Sequence, residues 1–262
     1  MNNYSNDNTA RRYIADVSMF GTSQIHLRNP YIIAWWSVAF PGLGHLLLAK
    51  YHRGYILIIW EVIVNVNSHL NQAMVFSFQG NIHLAKDILD TRWLLMYIPV
   101  YLFGIWDSYR STVDLNAIYI LADHEGHRYN TFSMGPFGMN YLDKRKPFLA
   151  ILWSLFAPGL GQLYLHRTIT AFFLIFCCIV FCYFSHFFEA VSLLFLGKIQ
   201  ESISVLNAQW LLFLPSIYGF AAYDSYINTV ENNKLFKKEQ MKFLMENYQH
   251  PSFSILKGRK VK

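Results

Sequence analysis

Glu61, Asn65, Ser68 and Gln72 follow one another at spacings of four, three and four residues, which on a helix of 3.6 residues per turn aligns them along one face. The chain around them is largely apolar. A carboxylic acid in such a stretch suits proton or cation relay, and the alternative is a neutral acid bridging two helices. Glu61 lies eight residues past Arg53, about 12 Å along a helix rising 1.5 Å per residue. At that depth we expect it to be protonated or hydrogen-bonded.

Two pairs, Ser68-His69 and Ser185-His186, offer imidazoles suited to proton transfer or metal ligation. Neither has an acid at a spacing shared by both, so we expect them to hydrogen-bond backbone or a neighbouring segment. Asp107-Ser-Tyr and Asp224-Ser-Tyr place carboxylates where they would accept backbone amides of a Gly-rich turn. Asp107 is therefore predicted near residues 41 to 45, and Asp224 near 158 to 162.

DHEGH at 123 to 127 has His-x-x-His metal spacing through His124 and His127, with Asp123 or Glu125 assisting. With no further ligand set in view, it reads as a solvated loop. Cys177, Cys178 and Cys182 share one apolar stretch and read as small apolar filler rather than a disulfide framework or zinc site. No Ser-His-Asp order, HExxH, Walker loop or nucleophile elbow occurs. We expect no catalytic residues, no cofactor and no bound metal.

The elements that must position these groups follow from composition. Hydrophobic residues make up 54% of the 262, with only 15% charged, more apolar than the usual globular mix. Residues 171 to 188 contain neither acid nor base, and a bilayer core needs roughly 20 such residues. The expectation is an all-α integral membrane protein. The net charge of +6 lacks any nucleic-acid-binding pattern and suits anionic lipid headgroups at the basic tails. The first twenty residues have no apolar core or small-residue cleavage site and do not read as a signal peptide.

WSVAFPGLG at 36 to 44 returns as WSLFAPGLG at 153 to 161, an offset of 117 residues that holds without a gap from Pro30 with Pro147 to Asn116 with Asn233. It pairs Trp36 with Trp153, Trp93 with Trp210, and both Ser-His and both Asp-Ser-Tyr motifs. This is a tandem duplication. The chain divides into a polar basic tail at 1 to 27, a first membrane repeat at 28 to 116, a cytoplasmic linker at 117 to 144, a second repeat at 145 to 233 and a basic tail at 234 to 262. Linker and tails read as flexible or surface-bound. The polar face of the first repeat becomes Cys178, Cys182, Ser185 and Glu189 in the second.

Each repeat has three apolar pieces, 31 to 49, 54 to 76 and 91 to 112, then 148 to 166, 171 to 193 and 208 to 229. Ile82, Ala85 and Leu89 add a short amphipathic helix between the second and third. Pro41, Gly42 and Gly44, with Pro158, Gly159 and Gly161, can turn the chain back halfway through the first piece. If it turns back, 19 Lys and Arg share one side against three opposite; if it spans, the division is 14 against eight. The positive-inside rule favours four transmembrane helices plus two re-entrant or interfacial PGLG hairpins over six spans, with the tails and linker cytoplasmic. Repeats of one orientation predict a pseudo-twofold axis along the membrane normal.

PGLGQLYLHR at 158 to 167 resembles the Pro-Gly-x-Gly-Gln-x-Tyr helical hairpin of multispan bacterial membrane proteins, many of them uncharacterised. The first copy departs from it, with His45 for Gln162 and Leu47 for Tyr164. The resemblance implies a bacterial cytoplasmic membrane and supplies no activity.

Two functional classes follow. The favoured one is a nonenzymatic membrane scaffold or accessory subunit, with a protein partner or further copies of itself. The rival is a small carrier or channel whose path runs along Glu61, Asn65, Ser68 and His69. The candidate binding residues are Glu61, Asn65, His69, Asp107, His186 and Asp224.

Overall fold

The computed structural model describes residues 12–125, 128–135 and 138–248, and the chain is mostly helical. Proline opens the first helix of each repeat, where its missing amide hydrogen costs nothing. From there the first repeat runs through α1 (Pro30–Ala39), α2 (Leu43–Leu47), α3 (Tyr51–Ser68), α4 (Leu70–Phe78), α5 (Ile82–Ile88) and α6 (Thr91–His124). The second matches it in α7 (Pro147–Phe156), α8 (Leu160–Tyr164), α9 (Thr168–Phe184), α10 (Phe187–Phe195), α11 (Ile199–Val205), α12 (Ala208–Leu211) and α13 (Phe213–Tyr248).

Both apolar pieces expected as continuous second helices are broken. His69 and His186 take left-handed backbone angles, φ 56° and 54°, so α3 and α9 end there and α4 and α10 start in new directions. The stripe predicted from Glu61 to Gln72 therefore stops at Ser68 as a single helix face. Among the described residues no single helix is long and apolar enough to cross a membrane. Three helix pairs reach that length together, bent by 89° at α5–α6, 63° at α9–α10 and 82° from Ile199–Val205 into Ala208–Met245.

The segments read as flexible are also more ordered than expected. The third helices run on, α6 to His124 and α13 to Tyr248. Residues of the N-terminal tail form a hairpin of β1 (Tyr13–Ser18) and β2 (Gly21–Gln24), and linker residues form β3 (Arg128–Asn130), β4 (Phe132–Gly135) and β5 (Gly138–Tyr141). β1 pairs antiparallel with β2 and parallel with β3, while β4 and β5 make a separate hairpin. Ile14, Ala15 and Val17 turn inward from β1 and are buried.

One apolar core runs through both repeats, but it is not arranged about a twofold axis. The Trp36 ring packs on Phe220 at 5.7 Å and Tyr223 at 5.3 Å, Phe40 meets Phe213 at 5.6 Å, and Tyr55 meets Phe173 at 4.2 Å. A twofold would also put Trp153 on Phe103 and Trp106, and Phe172 on Ile56. Those side chains are instead 44%, 52%, 54%, 64% and 54% exposed. The expected pseudo-twofold is replaced by a contact in which different faces of the two repeats meet.

Candidate functional site

At each Pro-Gly-Leu-Gly corner the chain reverses. Gly42 and Gly159 have φ of 97° and 103°, and a Cβ there would lie 2.4 and 2.5 Å from the carbonyl oxygens of Gly54 and Ala171. Both the angle and the close approach require glycine. Gly44 and Gly161 let the returning helix touch the outgoing one, since a Cβ would stand 2.5 Å from the carbonyl oxygens of Ile33 and Ala150. Pro41 and Pro158 are buried in the same corners.

Each hairpin is fastened to the third helix of its own repeat through the aspartate of Asp-Ser-Tyr. His45 Nε2 lies 2.9 Å from Asp107 Oδ2, and Arg53 donates to both Asp107 oxygens at 3.0 and 2.9 Å. In the second repeat Gln162 donates to Asp224 at 3.1 Å, Arg167 to both oxygens at 2.7 Å, and Asn228 to Oδ1 at 2.8 Å. Proximity to the corners is as anticipated, but side chains, not backbone amides, supply the donors. The serine of each motif is fully buried, with its Cβ close to the glycine of the returning helix. Tyr109 sets its ring edge-on to Tyr31 at 5.5 Å.

The arginines were not anticipated. In repeat register Arg53 corresponds to Thr170 and Arg167 to Lys50, so each carboxylate draws its guanidinium from a different position. Arg167 and Asp224 are both buried, and Arg167 also donates to the Tyr51 hydroxyl of the first repeat at 3.2 Å. Arg53 is more than half exposed.

A second device closes each repeat at its ends. The Asn116 side chain accepts from the Arg28 amide at 3.0 Å and donates to the Arg28 carbonyl at 2.8 Å. Asn233 does the same to Arg145 at 2.9 and 2.7 Å. Both asparagines stand at the last matched position of the duplication, a signal whose meaning could not be read without the partner. Nearby, burial and then the charges of Arg28 and Lys234 push the His26 imidazole down to about 3 from 6.5. Burial, then the charge of Arg167, lowers Arg28 to about 10.

The polar stripe forms a cluster between repeats. Glu61, Asn65 and Ser68 are buried. Asn65 donates to Glu61 at 3.0 Å and to Asn71 at 3.2 Å. Gln209, from α12, donates to the carbonyl and side-chain oxygens of Asn65 at 3.1 and 2.8 Å. It also accepts from Asn71 Nδ2 through its carbonyl at 2.9 Å and from the Gln72 amide at 3.0 Å. The stripe was legible in sequence; Gln209 was not, because Arg92 occupies its place in the first repeat.

His69 and His186 do not join this cluster. Both are exposed, and His186 lies 3.2 Å from Glu189. Their motifs act through backbone: the Ser68 and Ser185 carbonyls accept the amides of Asp90 and Asn207, which cap the next helices. Of the DHEGH stretch, His127 lies outside the described residues, and Glu125 pairs with Arg12. Among the described residues no group of three His, Cys, Asp or Glu is placed to hold a metal. The three cysteines are free thiols, with Cys178 and Cys182 sulfurs 3.9 Å apart.

Comparison with known proteins returns no family model, no curated protein and no solved structure that matches this chain.

Proposed function

We propose that this chain is a multispan protein of the bacterial cytoplasmic membrane that works without catalysis, as a scaffold or accessory subunit of a membrane complex. The observation that carries this reading is the use made of the polar stripe. Asn65 and its neighbours spend their hydrogen bonds on Gln209 and Asn71, which joins the repeats rather than lining a symmetric path. Register offers Cys178 and Cys182 in place of Glu61 and Asn65, so a paired conduit has no second half.

The membrane part of the proposal rests on composition and on the path of the hairpin. α1 starts beside Asn116, reaches the level of Tyr101, whose hydroxyl donates to Val38 at 2.8 Å, and returns to Ser111, where Lys50 donates at 2.7 Å. α1, at ten residues, is about 15 Å long, so the hairpin enters about halfway through a layer of about 30 Å and comes back, which supports a re-entrant element and four crossings. The bent pairs α5–α6, α9–α10 and Ile199–Val205 with Ala208–Met245 reach, as pairs, the length and apolarity of a span. Isoleucine, phenylalanine and tryptophan side chains cover much of the outside. Basic residues of the tails and linker would meet anionic headgroups on the cytoplasmic side, and nucleic acid has no place in this reading.

The rival, a carrier using Glu61, makes a distinct demand. The test pairs melting in detergent with proton and cation flux in reconstituted vesicles, for the parent, Glu61→Gln and Glu61→Leu. We expect flux no greater than in protein-free vesicles, near-parent stability for Gln, and a lower melting temperature for Leu, which leaves Asn65 short of a partner. Parent flux that disappears in Glu61→Gln at unchanged melting temperature overturns the scaffold reading.

A further inference from the structure

The contact between repeats uses one face of each, and the corresponding faces on the outer flanks are left open. On the first repeat the contact face carries Trp36, Phe40 and Tyr55; on the second it carries Phe173, Phe213, Phe220 and Tyr223. Shifted by the repeat offset, the face that holds Phe220 reappears on the first repeat as Phe103, Trp106 and Ile56, with Met96 at the place of Phe213. The face that holds Trp36 reappears on the second as Trp153 and Phe172, with Ala157 at the place of Phe40. All of these but the half-buried Ala157 are exposed.

A contact between unlike faces does not close on itself. Two related units joined this way leave one copy of each face free, and the free pair is complementary in the sense of the occupied pair. Trp36 and Phe220 form the internal pair, and the free flanks present the same two residue types, Trp153 and Phe103. Tyr223 is matched by another aromatic, Trp106.

We propose that the occupant of these faces is a second copy of this chain. The second repeat of one molecule receives the first repeat of the next, Trp153 against Phe103 and Trp106, Phe172 against Ile56, and so on head to tail into a ring or an open row. The joint between molecules is weaker than the one within. The internal joint has Gln209 clasping Asn65 and Asn71 and the ring contact of Phe40 with Phe213; at the matching places stand Arg92, the buried Cys182, Phe188, Ala157 and Met96, which offer neither. Aromatic contact without the polar clasp makes an assembly that exchanges its members.

This deepens the scaffold reading and rests on it for the surrounding lipid. The test introduces a benzophenone amino acid at Trp153 in two versions of the full chain carrying different tags, co-expressed and irradiated in native membranes. The expected product is a ladder of covalent species holding both tags, with the adduct mapped by mass spectrometry to the stretch around Phe103 and Trp106. Phe103→Ala combined with Trp106→Ala, both on the exposed flank, should cut that adduct about tenfold, as loss of aromatic anchors does at other interfaces. A probe at Phe195, exposed and away from the faces, should give none of this product. Adducts to lipid only, to an unrelated protein only, within one chain, or between Trp153 positions of two copies would each overturn the proposal. Ion flux by the parent would remove the scaffold reading without touching these adducts, so the two failures are separable.

Discussion

Asp107 and Asp224 fasten equivalent hairpins with unequal exposure of their partners. Arg167 is buried and Arg53 mostly exposed, so removing Asp224 strands a desolvated guanidinium while removing Asp107 leaves Arg53 free to reach water. Asp224→Ala should cost about 3–5 kcal/mol, the usual penalty for breaking one side of a buried pair. Asp107→Ala should cost less, and Asp107→Asn less again because an acceptor remains. Melting temperatures in detergent rank the three, and equal values for all of them and the parent would remove the fastening role. His26 gives a pH dependence of known sign. Its imidazole stays neutral in the fold down to about 3 but takes a proton near 6.5 when unfolded. The unfolded chain therefore binds the extra proton between those values, and stability is full above 6.5 and lost progressively as pH falls toward 3. His26→Gln should flatten that part of the stability profile; an unchanged slope would assign it to other groups.

Helix-scale features divide by whether their cause is local. The corners were legible because Pro-Gly-x-Gly is written in the residues that turn. Gly42→Ala and Gly159→Ala should each abolish folded protein, judged by recovery after size-exclusion in detergent, since a methyl meets a carbonyl oxygen in both. Asp-Ser-Tyr was legible as the partner of the corner because both motifs recur in one register. The breaks at His69 and His186 were not, because a non-glycine residue at positive φ carries no composition signal, though His is among the types that tolerate it. The strands were missed for another reason. β1 finds β3 across 114 residues, the separation of the Asp16–Asn130 hydrogen bond, and a pairing at that distance leaves no local pattern beyond a polar segment. Displacement hid Arg53 and Arg167, which occupy unmatched positions and vanish in a comparison of the repeats.

At the scale of the whole chain, the proposed orientation puts α5 and the β strands on opposite sides of the bilayer. In a background with Cys177, Cys178 and Cys182 replaced by Ala, Asp87→Cys should react with an impermeant thiol reagent in intact spheroplasts, and Asn130→Cys only after lysis. The reverse pattern inverts the topology, and equal labelling of both contradicts a crossing by α6, the helix between them. The head-to-tail contact implies that tandem duplication fixed inside one chain a joint still free between chains. The N-terminal hairpin has its own consequence for the order of assembly. Phe20 accepts from the Thr168 amide at 3.1 Å, and Gln24 donates to Asn232 at 2.8 Å, 208 residues further on. Made long before α13, the hairpin must wait for that helix to find its contacts. The first repeat can shut its own ends through Arg28 and Asn116 while translation continues, whereas the strap across both repeats must wait for α13. Ribosome-stalled chains ending before Asn232 would thus leave Gln24 without this partner, and protease access to residues 13 to 24 would time the closure.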